Sequence, residues 1–285
     1  MNLIAALCNI VESSDFSLKN SDGYVSNLAS SQGIPFETFV KTIFCGIRGK
    51  PETFVNPNDV FAHNGSTNNP PDAMLKNEGD AIEIKKTEKQ KSDIILNSSL
   101  PKTKIHYNDK MINSSTQNCE VWESRDLLYV IGHVPKGGGN VKSMFFFYGD
   151  CFAKANDFYK KKFEEIKSRV NSTGEISEKG NEYGTLKDVD ELGNGVYMRV
   201  RPINGMHSPW KIFEKHIDDV MEPSKFAMVC IMRKEKFDSF LEMTRVKFDQ
   251  LIAEKKNLEK KQIDLTNPDF PNETIPGVVI TFKID

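Results

Sequence analysis

The stretch "NNPPDAMLKNEGDAIEIKKTE" (68–88) restricts what this chain can fold into more than any other. Two prolines lead into Asp72, a glycine-marked turn follows at Asn77-Glu78-Gly79, and a short apolar segment then carries Glu83 and Lys85. Glycine takes the positive φ that a short hairpin connection needs, so the stretch reads as two antiparallel strands, about 72–77 and 80–86. Side chains alternate faces along a strand, which puts Glu83 and Lys85 on one face with Ala81 and leaves Ile82, Ile84 and Lys86 on the other. On this reading the isoleucines serve the core, and the charged pair stays outside it. Asp80 falls on the Ile82 face, away from Glu83. Asp72 returns beside Glu83 through the hairpin.

Two carboxylates without a histidine or cysteine suit a hard, oxygen-loving cation such as Mg²⁺, which completes its shell with water and phosphate. The backbone carbonyl of Ile84 is a third candidate oxygen. Such an ion polarises a phosphoryl oxygen and acidifies a bound water. A neighbouring lysine positions that water or neutralises developing charge. Asp72, Glu83 and Lys85 together are the equipment of a metal-dependent phosphodiesterase. The plainer alternative is an exposed ion pair on a half-buried sheet, worth well under about 1 kcal/mol.

The rest of the chain reads as one α/β domain over 1–285. Leu3, Leu7, Ile10 and Val11 recur at helical spacing, and so do Phe36, Phe39, Val40, Ile43, Phe44 and Ile47. Residues 49–71, rich in Pro, Asn and Gly, read as a loop. "LLYVIGHV" (127–134) and "VKSMFFFYG" (141–149) read as strands joined through "PKGGGN", a turn that lacks the pattern of a phosphate loop. A charged helix is expected over about 152–170, and strands over 195–202, 226–232 and 277–282. A long Lys/Glu-rich helix is expected over about 234–262. Trp122 and Trp210 read as core or interface residues. The catalytic core is expected over about 30–150, with recognition or dimerisation elements over about 151–285.

Composition narrows the setting. A net charge of −2 gives no global basic field, although a local basic cleft remains compatible with it. Five cysteines and five histidines are dispersed, which argues against a disulfide framework or a zinc site and for a reducing compartment. The N-terminus reads as an amphipathic helix, not a leader, and no apolar run reaches transmembrane length. The expectation is a soluble cytoplasmic protein with no membrane partner.

The pattern Pro71-Asp72, ten residues, then Glu83-Ile84-Lys85 resembles the PD-(D/E)xK signature of restriction-type nucleases. With "LNSSLPKTK" and "YMRVRPINGMHSPWKIF" in the same order, the chain is similar to the NgoPII family of type II restriction endonucleases. The resemblance implies a restriction-endonuclease-like core, a mixed β-sheet flanked by helices. It implies a homodimeric, Mg²⁺-dependent enzyme that cuts double-stranded DNA at the centre of a short palindrome, 5′-GGCC-3′, leaving 5′-phosphate ends. A cognate DNA methyltransferase is the implied genetic partner. By match to the motif, Asp72 and Glu83 hold the metal and Lys85 serves the attacking water.

Other residues have two readings each. Glu37, in the first turn of its helix, is a further carboxylate for the metal, or a residue placed there by the helix dipole. Asn97, Ser98, Ser99, Lys102 and Lys104 are candidate DNA contacts, or a solvated polar loop. Arg199 and Arg201 share one strand face and suit guanine O6 and N7, or form an ordinary ion-pairing surface. Two rival functions stay open at this point: a structure-specific repair or recombination nuclease of the same superfamily, and a non-catalytic DNA-binding module.

Overall fold

The computed structural model describes residues 1–18, 35–65, 69–97, 100–171, 176–177, 183–186, 198–217 and 225–285. It opens with α1 (Leu3–Glu12), capped where Asn2 Oδ1 accepts the N–H of Ala5, and α2 (Pro35–Cys45). Among its described residues, the segment read as loop over 49–71 holds a 3-10 turn (Pro51–Thr53), α3 (Pro57–Val60) and β1 (Phe61–His63). Pro57 stands in the first turn of α3, and Asn56 Oδ1 accepts the N–H of Asn58. The Asn-Pro cluster therefore marks a capped helix start as well as a chain break.

The expected hairpin follows as β2 (Ala73–Leu75) and β3 (Ala81–Thr87). Next come β4 (Ile94–Asn97), β5 (Lys104–His106) and α4 (Ser114–Gln117). The two apolar runs form β6 (Ser124–His133) and β7 (Ser143–Tyr148), an antiparallel pair. The charged helix is α5 (Asn156–Asn171).

Short strands β8 (Ile176–Ser177), β9 (Gly184–Leu186) and β10 (Met198–Val200) make a small separate sheet. The start of the strand expected over 195–202 lies outside the described residues. After β11 (Asn204–Met206) and α6 (Pro209–Ile212), the chain enters the long strand β12 (Phe226–Arg233).

The single helix expected over 234–262 is instead α7 (Lys234–Ser239), α8 (Glu242–Glu254) and the strand β13 (Leu258–Thr266), which pairs along its length with β14 (Thr274–Ile284). The helix-leaning Lys/Glu composition loses to pairing with β14, because β13 is the last strand of the sheet and its charged side chains face solvent.

The main sheet has nine strands in the order β1-β2-β3-β6-β7-β12-β14-β13, with β5 on β6. It is mixed: β3 runs parallel to β6 and β7 parallel to β12, and the other pairs are antiparallel. Paired residues in register point to the same face, so rows can be followed across strands. The row Lys86–Gly132–Met144 lies under α2, where Phe36 packs so closely on Gly132 that a Cβ there would sit 2.0 Å from its ring. The opposite face carries the rows Glu83–Tyr129–Phe147 and Lys85–Ile131–Phe145. Trp210 and Phe213 cover that face with rings 5.1 and 5.6 Å from Phe145. Trp122 and Trp210 are both buried, as a core reading requires.

Candidate active site

The ladder between β2 and β3 pairs Met74 with Ala81 and Ala73 with Ile82, and stops there. Asp72 is next in line, opposite Glu83. Its Oδ2 accepts the N–H of Ile84 at 2.6 Å. The hairpin thus delivers two carboxylates as cross-strand neighbours. Lys85, two residues on from Glu83, places Nζ 2.5 Å from Glu83 Oε1 and 3.8 Å from Asp72 Oδ2. The three residues that the alternation groups do meet on one surface.

Two local expectations change. Positive φ at the turn belongs to Asn77 (56°) and Glu78 (60°), not to Gly79. Gly79 is needed for space, since a Cβ would lie 2.6 Å from Leu75 Cβ. Nor does Glu83 stay outside the core: only 7% of it is exposed. β3 is the third strand from the sheet edge, and its Glu83 face is walled by Tyr129 and the aromatic layer beside it. Lys85, nearer the end of the strand, remains partly open. Gly65 (φ 83°) closes the other side. A Cβ there would come within 2.4 Å of the Asp72 carbonyl oxygen.

The electrostatics follow from this burial. Desolvation, then the charge of Glu83 and more weakly of Glu37, pushes the Asp72 carboxyl up to about 7, against the pull of Lys85 and the Ile84 N–H. Burial alone would lower the Lys85 pKa, but Glu83 and Asp72 outweigh it and hold it above the usual lysine value. Lys85 is an ammonium here. Asp72 sits where negative charge is already crowded.

Glu37 lies in the first turn of α2 and accepts from Lys41 Nζ at 2.6 Å. Lys41 is buried and also donates to the Asn64 carbonyl at 2.7 Å. No motif marks Lys41; its one sequence signal is the i,i+4 spacing from Glu37. Asp80 takes no part: Tyr148 donates to it at 2.7 Å, and Lys236 binds it at 2.7 Å.

The donor set fits Mg²⁺. No group of three or more His, Cys, Asp and Glu side chains able to hold a metal occurs among the described residues. A site built from three or more such side chains is therefore not found there. That leaves the pair Asp72 and Glu83, and one or two carboxylates are what this ion takes from a protein when water and phosphate supply the rest. The crowded Asp72 carboxyl is the group a cation would relieve.

The remaining candidates are dispersed. Asn97 ends β4 opposite Asn204, while Ser98 and Ser99 lie outside the described residues. Lys102 Nζ is engaged with Asp109 at 2.8 Å and Lys104 Nζ with Asp126 at 3.1 Å. Arg199 is exposed on β10, in the small sheet, and Arg201 is exposed just past it. No described helix is long and apolar enough to cross a membrane.

Comparison with known proteins places the chain in a family. The family model of the NgoPII restriction endonuclease matches residues 1–266. The chain is 33% identical over 288 residues to the type II restriction enzyme NgoPII of Neisseria gonorrhoeae, covering 100% of both chains. No solved structure gives a significant match.

Proposed function

Because this chain belongs to the NgoPII restriction endonuclease family, and is thus a site-specific deoxyribonuclease acting on double-stranded DNA, we propose that it cuts a short palindrome with Asp72, Glu83 and Lys85. The target is 5′-GGCC-3′, cut at its centre to leave 5′-phosphate ends. The observation that carries the site assignment is the meeting of two carboxylates and one ammonium on the β2–β3 edge.

Type II restriction enzymes generally use a divalent metal, and Mg²⁺ is the ion proposed here. Asp72 and Glu83 would hold it, with the Ile84 carbonyl as a further oxygen and Glu37 as a reserve carboxylate. When bound, it supplies Lewis-acid polarisation of the phosphoryl oxygen and a more acidic water. Lys85 stays protonated beside Glu83, so its work is electrostatic: it orients the attacking water and offsets charge that builds on the phosphorane. The Ile84 N–H fixes the Asp72 carboxylate, and the Glu83 wall of Tyr129 limits solvent at the strand.

A palindromic target goes with twofold symmetry, hence a homodimer. The proposed division keeps the catalytic strands in about 30–150 and recognition or dimerisation elements in about 151–285. Arg199 and Arg201 remain candidates for guanine, and Asn97, Ser98, Ser99, Lys102 and Lys104 for backbone contacts. A cognate methyltransferase would protect the host, and the site of action is the cytoplasm.

Digestion of unmethylated phage DNA with Mg²⁺, followed by sequencing of the ends, tests the reading. Discrete fragments sharing GG/CC ends are expected. A smear, or intact DNA, would sink it.

A further inference from the structure

β4 and β11 form a two-stranded antiparallel ribbon that is not part of either larger sheet. Its inner side chains, Ile94, Leu96 and Met206, are buried. Its outer side is unusual: Ile95 is 55% exposed, and its partner across the ribbon is Gly205, which has no side chain. Ile203, just before β11, is 78% exposed. A single exposed isoleucine is ordinary. Two exposed isoleucines on the paired segments of one narrow ribbon make an apolar ridge.

The root of the ribbon is pinned by hydrogen bonds and stands over the catalytic face. Ser208 Oγ donates to the Gln90 carbonyl at 2.8 Å, and His207 Nδ1 and Lys211 Nζ hold Asp93 at 3.1 and 3.0 Å. Gln90 Nε2 reaches Ser143 Oγ at 3.4 Å, and Trp210 lies on Phe145. Ser143 and Phe145 belong to the rows of Thr87 and Lys85, so the ribbon rises from the sheet face that bears Glu83 and Lys85.

The link between them is basic. Residues 86–93 run from the strand of Lys85 to the ribbon and expose Lys86, Lys89 and Lys91 against one free acid, Glu88. No ion pair among the described residues holds any of these three lysines. The other acid of the link, Asp93, is already held by His207 and Lys211.

We propose that the β4–β11 ribbon enters a groove of the DNA duplex as a base-reading element, with Ile95 as its apolar contact and Lys89 and Lys91 on the phosphates between the ribbon and the cleavage site. A two-stranded ribbon fits the major groove, and phosphate contacts fix the register in which base edges are read. The occupant is duplex DNA because the ridge is flanked by unpaired cations on the chain that leads to the catalytic lysine. This inference rests on the restriction-endonuclease reading and adds an element that reads the sequence.

The test is equilibrium binding without Mg²⁺ of the full-length protein to two duplexes, one centred on GGCC and one on GCGC. Wild type should favour GGCC. Ile95→Ala should cut that preference by about tenfold. It should leave the melting temperature unchanged, because the side chain is exposed. The double change Lys89→Gln with Lys91→Gln should weaken both duplexes alike and flatten the salt slope by about 1.8. If Ile95→Ala discriminates like wild type, or the double change keeps the salt slope, the ribbon inference is overturned. If wild type itself binds both duplexes alike, the sequence-specific reading beneath it fails as well.

Discussion

Two clusters in this molecule share one parts list and do different work. At the β2–β3 edge, Asp72 and Glu83 meet Lys85. At the other end of the same hairpin, Asp80 and Asp126 meet Lys236, at 2.7 and 2.6 Å. The second cluster is closed. Lys104 adds a second cation on Asp126, and Tyr148 donates to Asp80. Burial would raise the Asp126 carboxyl, but Lys236 and Lys104 bring it below its usual value. The first cluster is left open: one ammonium serves two carboxylates, and the Glu37 charge bears on both Asp72 and Lys85. A cluster whose charges alternate ties α7 to the sheet. A cluster with surplus acid is a place for a cation and a phosphate.

The largest effect expected from this contrast is on rate. Lys85→Ala or Glu83→Ala should lower DNA cleavage by about 10³-fold or more while specific binding persists, since each removes a group that acts on the reacting phosphate. Quantitative digestion beside a gel-shift titration measures the two separately. Retention of full cleavage would remove both residues from the mechanism. Lys236→Ala should do the reverse. It strands Asp80, which is buried, and should cost about 3 kcal/mol in denaturant unfolding, as when one partner of a buried pair is lost. If instead it spares stability and stops cleavage, the two clusters have been assigned the wrong way round.

The hairpin explains why so much was legible. Period-two alternation is local, so the grouping of Glu83 with Lys85, the exclusion of Asp80 and the return of Asp72 follow from residues 72–86 alone. What lay hidden depends on distant chain. The burial of Glu83 needs Tyr129 from β6, and the strand character of 258–266 needs β14. Positive φ at Asn77 and Glu78 displaced the turn from Gly79, whose lack of a side chain serves contact with Leu75. Lys41 has no motif because it acts on Glu37 and a loop carbonyl, and those partnerships arise only in the fold.

A smaller effect isolates the surplus acid. In the fold, the Asp72 carboxyl stands at about 7, above the 3.8 of an ordinary aspartate. A raised carboxyl favours the folded state while it is protonated, so its stabilising share is full below about pH 4 and is lost as pH climbs through about 7. Asp72→Asn removes that loss. Metal-free wild type should therefore melt below Asp72→Asn at pH 8, by a few degrees, and the gap should close as pH falls toward 4.

The smallest effect belongs to the closed cluster. Tyr148→Phe deletes one donor to Asp80 but leaves Lys236 in place. It should cost about 1–2 kcal/mol in denaturant unfolding, the worth of a hydrogen bond to a charged group. Cleavage should be unchanged, because no atom of Tyr148 contacts the Asp72–Glu83–Lys85 trio among the bonds described. A fall in cleavage at unchanged stability would mean that the Asp80 end of the hairpin sets the geometry of the Asp72 end. The two clusters would then be one device joined through β3.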